Sequence, residues 1–211
     1  MGVRGGLGEV VDALTGAALI FVFAWLVALL SYNMAPCGAV GASMCGEAAA
    51  AAAGLLYSWR RGLLREFFHP PRLGAARLLG LAGAGVGAML LLAPILSPAP
   101  SPVEHEVFTC VESHPVLMGF TLLFLAPFTE ELCFRGLIQG RLSRVIGGPA
   151  ALLAASLAFY AAHVYALGAA GALVAFVEGI VLGVPVLLGD SLWAPILIHS
   201  LLNLVGFVAA V

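Results

Sequence analysis

The sequence predicts an all-α fold: a polytopic bundle of about seven transmembrane helices with one interfacial helix. Three observations predict it. Of the 211 residues, 62% are hydrophobic and only 9% are charged. The mean hydropathy of +1.09 is far too high for a soluble domain. Apolar runs also recur at about 20 residues, the length a helix needs to cross a hydrocarbon core of about 30 Å. The chain has room for six or seven such runs and little else, so residues 1–211 read as one integral membrane domain. The formal net charge of -2 and the lack of a basic cluster exclude a nucleic-acid groove.

The expected spans are residues 12–31, 40–59, 76–96, 116–144, 149–165, 171–189 and 192–210. Ahead of the first lies Arg4, and the apolar run Ala13 to Leu30 is too long for a signal-peptide core, so it reads as an uncleaved span. The second is centred on the alanine tract Ala48 to Ala53, with Glu47 grouped among the acidic residues of one interface. Between the second and third spans, Trp59, Phe67 and Phe68 mingle with Arg60, Arg61, Arg65, Arg72 and Arg77. That mixture suggests an interfacial helix ended by Pro70–Pro71, first a topology signal and second a contact for membrane lipid. Ser97 to His114, rich in proline and acid, reads as an external loop. Gly147–Gly148–Pro149 separates the fourth span from the fifth, with Pro149 suited to a first helical turn.

All nine basic residues are arginines. If seven spans alternate, Arg4, the Arg60–Arg77 group and Arg141/Arg144 share one side, and Glu47, Glu104, Glu106 and Glu112 the other. Positive residues favour the cytoplasm, so the N-terminus is expected inside and the C-terminus outside. Cys133 falls within a span and reads as a small apolar filler. Cys37, Cys45 and Cys110 can occupy extracytoplasmic loops, where disulfides are permitted. A Cys37–Cys45 bond and unpaired cysteines are equal expectations, and no CxxC offers a metal signal.

Adjacent glutamates inside an apolar run are a functional-site hypothesis by default, and Glu130–Glu131 lie between Gly119 and Ile138. At 1.5 Å per residue, Glu130 lies about 20 Å from the end of its helix, and His163 about 21 Å along the fifth. On the last helix His199 lies about 12 Å deep and Asn203 about 18 Å. Three helices thus bring polar groups to similar depth, with His199 one turn shallower. His199 and Asn203 share a face, as do Ser156, Tyr160 and His163. Glu131 and Arg135 are spaced for an ion pair, while Glu130 points about 100° away from Glu131. A carboxylate, two imidazoles and a carboxamide suit water activation with oxyanion stabilisation. Glu130 would take a proton from water with His163 beside it, and His199 and Asn203 would donate to the tetrahedral oxygen.

Glu130-Glu131-Leu-Cys-Phe-Arg135 fits EExxxR, Phe159-Tyr-Ala-Ala-His163 fits FxxxH, and His199-Ser-Leu-Leu-Asn203 fits HxxxN. This set, in this order, resembles the CAAX-protease and bacteriocin-processing (CPBP/Abi) family of intramembrane glutamic endopeptidases, relatives of the prenyl-protein endopeptidase. The likeness covers about residues 116–205, including Asp190-Ser-Leu-Trp-Ala-Pro-Ile ahead of the last motif. It implies a metal-independent endopeptidase with no cofactor, in a membrane expected to be a prokaryotic plasma membrane. By it, Glu130 and His163 activate water, His199 and Asn203 form the oxyanion hole, and Glu131 and Arg135 support them. The substrate would be a hydrophobic peptide, a lipidated terminus or a small membrane protein. Phe159, Tyr160 and Glu178 are candidate accessory residues; Phe159, Tyr160 and Trp193 read first as packing, and Glu178 as a partner for His199 or part of a substrate path. The GxxxG of Gly179 to Gly183 reads as close helix packing. Two rivals remain: a zinc protease using Glu130, His163 and His199 as ligands, and a non-enzymatic scaffold, immunity factor or chaperone.

Overall fold

The computed structural model describes residues 3–35, 37–96 and 101–210, and every regular element among them is helical. In chain order these are α1 (Val3–Ser31), α2 (Gly38–Arg60), the single turn α3 (Leu64–Phe67), α4 (Ala75–Leu96) and α5 (Pro102–Ser113). Then come α6 (Pro115–Ile146), α7 (Gly148–Leu187) and α8 (Trp193–Ala210). Five of them, α1, α2, α4, α6 and α7, are long and apolar enough to cross a membrane, and Trp193–Val208 is a shorter apolar helix. Leucine, phenylalanine and tryptophan side chains such as Leu19, Trp25, Leu79, Leu91 and Phe124 face outward. A surface so apolar is that of an integral membrane protein.

The fifth and sixth expected spans form one element with a fold in it. Gly168 adopts φ 70° and ψ 167°, which breaks α7 into two arms. Contacts run in antiparallel register: Gly148 meets Leu187, Gly183 meets Leu152, and Gly179 meets Ser156. A Cβ on Gly183 would lie 2.1 Å from Leu152 Cδ1, so the arms approach more closely than any larger residue allows. The GxxxG spacing is thereby explained by packing.

Two expected irregular segments differ from expectation. Pro102–Ser113 is helical rather than a loop, because Ser101 and Glu104 form a reciprocal capping box with proline in the first turn. Ser97 to Pro100, the start of that expected loop, lie outside the described residues. The expected interfacial helix shrinks to α3, since Gly62 (φ 70°) ends α2 and the chain after Phe68 is non-helical through Pro70–Pro71. Phe67 is buried against Gly136 of α6, and its carbonyl accepts from the Leu192 backbone N–H. Phe68 stacks on Phe128 and tilts against Trp193. Phe67 and Phe68 therefore plug the base of the bundle instead of lying along its surface, while Trp59 is exposed.

Ion pairs tie the arginine-bearing end together. Arg144 reaches Glu9 at 3.0 Å and Glu66 at 2.6 Å, and Arg61 pairs with Asp12. At that end Asp190 accepts from the backbone N–H groups of Arg72, Leu73 and Ser191. Burial opposes charge on Asp190, but these three donors outweigh it and hold its carboxyl below the usual range. At the opposite end Glu106 accepts from Ala39 at the start of α2. There Cys37 is disulfide-bonded to Cys110, not to Cys45, which is free. Cys45 sits two turns into α2, whereas Cys37 lies just before it and faces α5. The disulfide closes a span of 73 residues. Replacing both cysteines by serine should therefore lower unfolding stability by about 4 kcal/mol on loop-closure grounds. Thermal unfolding in detergent checks this, and an unchanged midpoint would contradict it.

Candidate active site

The site is built on α6, whose hydrogen bonding changes twice. Residues Thr121–Leu125 and Glu131–Gln139 are π-helical and flank an α-helical turn, Ala126–Glu130. Pro127 accounts for the first widening. It has no N–H for the Leu123 carbonyl, and its ring crowds that carbonyl in an α-helix. The turn opens so that Ala126 N–H bonds to Thr121 O. The Leu122 carbonyl then falls opposite Pro127, which has no proton to give. Asn203 of α8 fills that role, its Nδ2 donating to Leu122 O at 2.8 Å. Wide turns of this kind occur often at functional sites.

Beyond that turn the polar residues converge. Glu131 is fully buried and bridges His199 and Arg135. His199 Nδ1–H donates to its Oε1 at 2.8 Å, and Arg135 Nε lies 3.1 Å from its Oε2 in an ionic contact rather than an aligned hydrogen bond. Arg135 also donates to the Gly179 carbonyl at 3.2 Å. Its guanidinium lies 4.4 Å above the Phe159 ring, a favourable cation–π position. Two residues on, Gln139 donates to the Gly183 carbonyl at 2.8 Å, so the GxxxG face docks onto α6.

Glu130 projects elsewhere, as its angle to Glu131 requires. Its Oε2 is enclosed, without a hydrogen-bond partner, 4.0 Å from His163 Nε2 and 3.9 Å from His199 Nε2. His163 Nδ1–H donates to the Phe159 carbonyl at 2.8 Å. Neutral His163 therefore carries its lone pair on Nε2, toward Glu130. His199 differs. With Nδ1–H committed to Glu131, its Nε2 can donate only if the ring is an imidazolium.

Glu130, Glu131, Arg135, Phe159, His163 and His199 thus come together, and Asn203 lies one helical turn beyond His199. His199 is no farther from Glu130 than His163 is, although α-helical counting set it a turn shallower. The π-helical stretch after Glu130 advances less per residue than an α-helix and draws Glu130 toward it. Glu178 lies within electrostatic range of His199, His163, Glu130 and Arg135, but His199 takes Glu131 as its hydrogen-bond partner. Tyr160 is not in the cluster; its hydroxyl donates to Ala169 O at 3.3 Å and braces the turn of α7. Phe159 is both packing and platform, with ring centroids 4.4 Å from His163 and 6.0 Å from His199.

Sequence reasoning missed Glu47. Instead of lining an interface it sits inside α2, where its carbonyl accepts from the Thr129 hydroxyl at 3.3 Å, and its carboxyl faces the charges of Glu130 and His199. The signal is present in the sequence, since Glu47 interrupts an apolar stretch of α2.

Residues 112–205 match the family model described as type II CAAX prenyl endopeptidase Rce1-like. Over these residues the chain is similar to the Rce1-like family. The match covers every polar residue of the cluster on α6, α7 and α8 and leaves α1 to α4, with Glu47, outside it. No curated protein and no solved structure matches the chain with significance. Among the described residues, the potential metal-ligand atoms that converge within 4.8 Å belong to Cys37, Cys110 and His114, and the two cysteines there are bonded to each other. Glu130, His163 and His199 do not converge to that degree.

The buried network sets an expectation for the Rce1-like segment. Arg135→Met leaves the buried Glu131 without its guanidinium and with His199 alone, which costs up to about 3–5 kcal/mol. Arg135→Met with Glu131→Leu should recover much of that stability, because His199 can then rest as the neutral imidazole and no uncompensated charge remains. Unfolding midpoints of the single and double variants check this, and an Arg135→Met protein as stable as wild type would contradict it.

Proposed function

We propose that the protein is a metal-independent intramembrane endopeptidase in which Glu130 activates water against a peptide bond of a hydrophobic segment. The observation that carries this reading is the Glu130 Oε2 atom, enclosed, unpartnered and about 4 Å from two imidazole nitrogens. That distance is too long for direct hydrogen bonds and suits one small molecule between the groups. The likeness of residues 112–205 to the type II CAAX prenyl endopeptidase Rce1-like model points the same way.

In this mechanism a water held between Glu130 and His163 Nε2 gives its proton to Glu130 and attacks the carbonyl carbon. The developing oxyanion accepts from His199 Nε2–H, which the Glu131 carboxylate keeps available by balancing the imidazolium. Asn203 contributes its second amide N–H, the first being committed to Leu122. Each such donor is worth about 3–4 kcal/mol of transition-state stabilisation. Arg135 keeps Glu131 ionised and in place. Both arms of α7 and helix α8 cross the membrane, with the arginine-rich end cytoplasmic. An apolar groove of about 450 Å³ along Leu78, Leu123, Phe124, Leu197 and Leu201 lies on the outer side of the helix bearing His199, and it offers a path for an apolar substrate.

Glu130→Gln keeps the shape and removes the base. It should abolish cleavage of a labelled hydrophobic-peptide library by detergent-purified protein, with the unfolding midpoint retained. Cleavage at the wild-type rate would overturn the assignment. His199→Gln should lower kcat by about 10²–10³ with little change in KM.

A further inference from the structure

Peptide hydrolysis needs a proton delivered as well as a proton removed, because an amide nitrogen does not leave as an anion. None of the residues matched to the family is free to do this at the start of the reaction. His163 Nδ1–H is held by the Phe159 carbonyl and its Nε2 carries a lone pair. His199 Nδ1–H is held by Glu131 and its Nε2–H is engaged by the oxyanion, and Glu130 begins as the acceptor.

Glu47 lies outside the matched residues, on a different helix. Its Oε2 is enclosed and without a hydrogen-bond partner, as is Glu130 Oε2. The Thr129 hydroxyl, one residue before Glu130, donates to the Glu47 backbone and fixes α2 beside this turn. The groups facing the Glu47 carboxyl are Glu130 from α6 and His199 from α8, and Cys133 feels Glu47, Glu130 and Glu131 together. From the other side α1 presents Ala24 and Ala28 to the neighbouring Gly46. Thr129 thus sets Glu47 beside the turn that carries Glu130, and each carboxyl has an enclosed Oε2 with no partner, so a proton carried by one can pass to the other.

We propose that Glu47 is the proton donor to the departing nitrogen in the hydrolysis carried by Glu130. The inference rests on the proteolytic reading above. Water adds its oxygen to the carbonyl carbon and its proton passes to Glu130. The C–N bond breaks, the Glu47 carboxyl proton moves to the nitrogen, and the bonding pair stays on that nitrogen. Glu130 then returns its proton to Glu47, which restores both carboxyls, and the products are an acid and an amine.

The test compares two substrates of one sequence, a peptide amide and the matching ester with a phenol leaving group, in wild type, Glu47→Gln and Glu130→Gln. A phenolate departs without prior protonation, so the ester needs the attacking water but not the acid. Glu47→Gln should lower kcat for the amide by about 10²–10⁴-fold with KM kept, and leave ester turnover within about tenfold of wild type. Glu130→Gln should be silent on both. The ester arm also reports that the Glu47 variant is folded. Equal loss on both substrates would mean that Glu47 is structural, and wild-type rates on both would mean it has no part; either result overturns the proposal. A folded wild type that cleaves neither substrate overturns the proteolytic reading itself, and this inference with it.

Discussion

The Glu131 carboxylate is the constraint on which the rest of the interior depends. A charge away from water persists only if it is paired, and Glu131 has two cations at hand, Arg135 on its own helix and His199 on α8. Arg135 in turn needs acceptors and finds the Gly179 carbonyl and the Phe159 ring, both on α7. One carboxylate therefore fixes the relative positions of three helices. Such a network is not a large source of stability, since apolar residues of equal volume often match or exceed a buried ion pair by about 1–4 kcal/mol. Its contribution is positional. It turns Glu130 away from Glu131 and holds one imidazole with its free nitrogen toward Glu130.

Small residues make that geometry reachable. Gly179 and Gly183 let the second arm of α7 lie against Ser156, Leu152 and Gln139, where any Cβ would collide. Pro127 does the converse, removing a donor from α6 and widening the helix, so that Asn203 is recruited to Leu122. The backbone of α6 is thus irregular where the polar residues gather, and the carbonyl that Pro127 leaves without a donor is met by a side chain from another helix. Within a membrane such satisfaction must come from the protein itself.

Much of this was legible in the sequence. Apolar run length places α4 and α6 within two residues of their expected limits, whereas α1 begins at Val3, nine residues ahead of its expected start. The site was legible because carboxylates and imidazoles in apolar helices are rare enough to be counted along each helix axis. What escaped has physical causes. The capping box at Ser101 and Glu104 was hidden by proline and acid, which also suit a loop. Counting along each helix separately cannot pair Cys37 with Cys110, because their contact depends on how α2 and α5 meet. Glu47 was assigned to an interface by the arithmetic of alternating charges, although a glutamate on the face turned toward α6 belongs to the interior. The bridging of Arg135 and His199 by Glu131 was half visible: spacing gives the i, i+4 partner and says nothing of the one on α8.

The account stands or falls on water as the nucleophile, activated by a carboxylate rather than a metal. Its most direct test is single-turnover cleavage in ¹⁸O-labelled water by protein stripped of metal and kept in chelator. The account predicts full activity and one ¹⁸O atom in the new carboxyl terminus of the product. Loss of turnover that returns on adding zinc would contradict it.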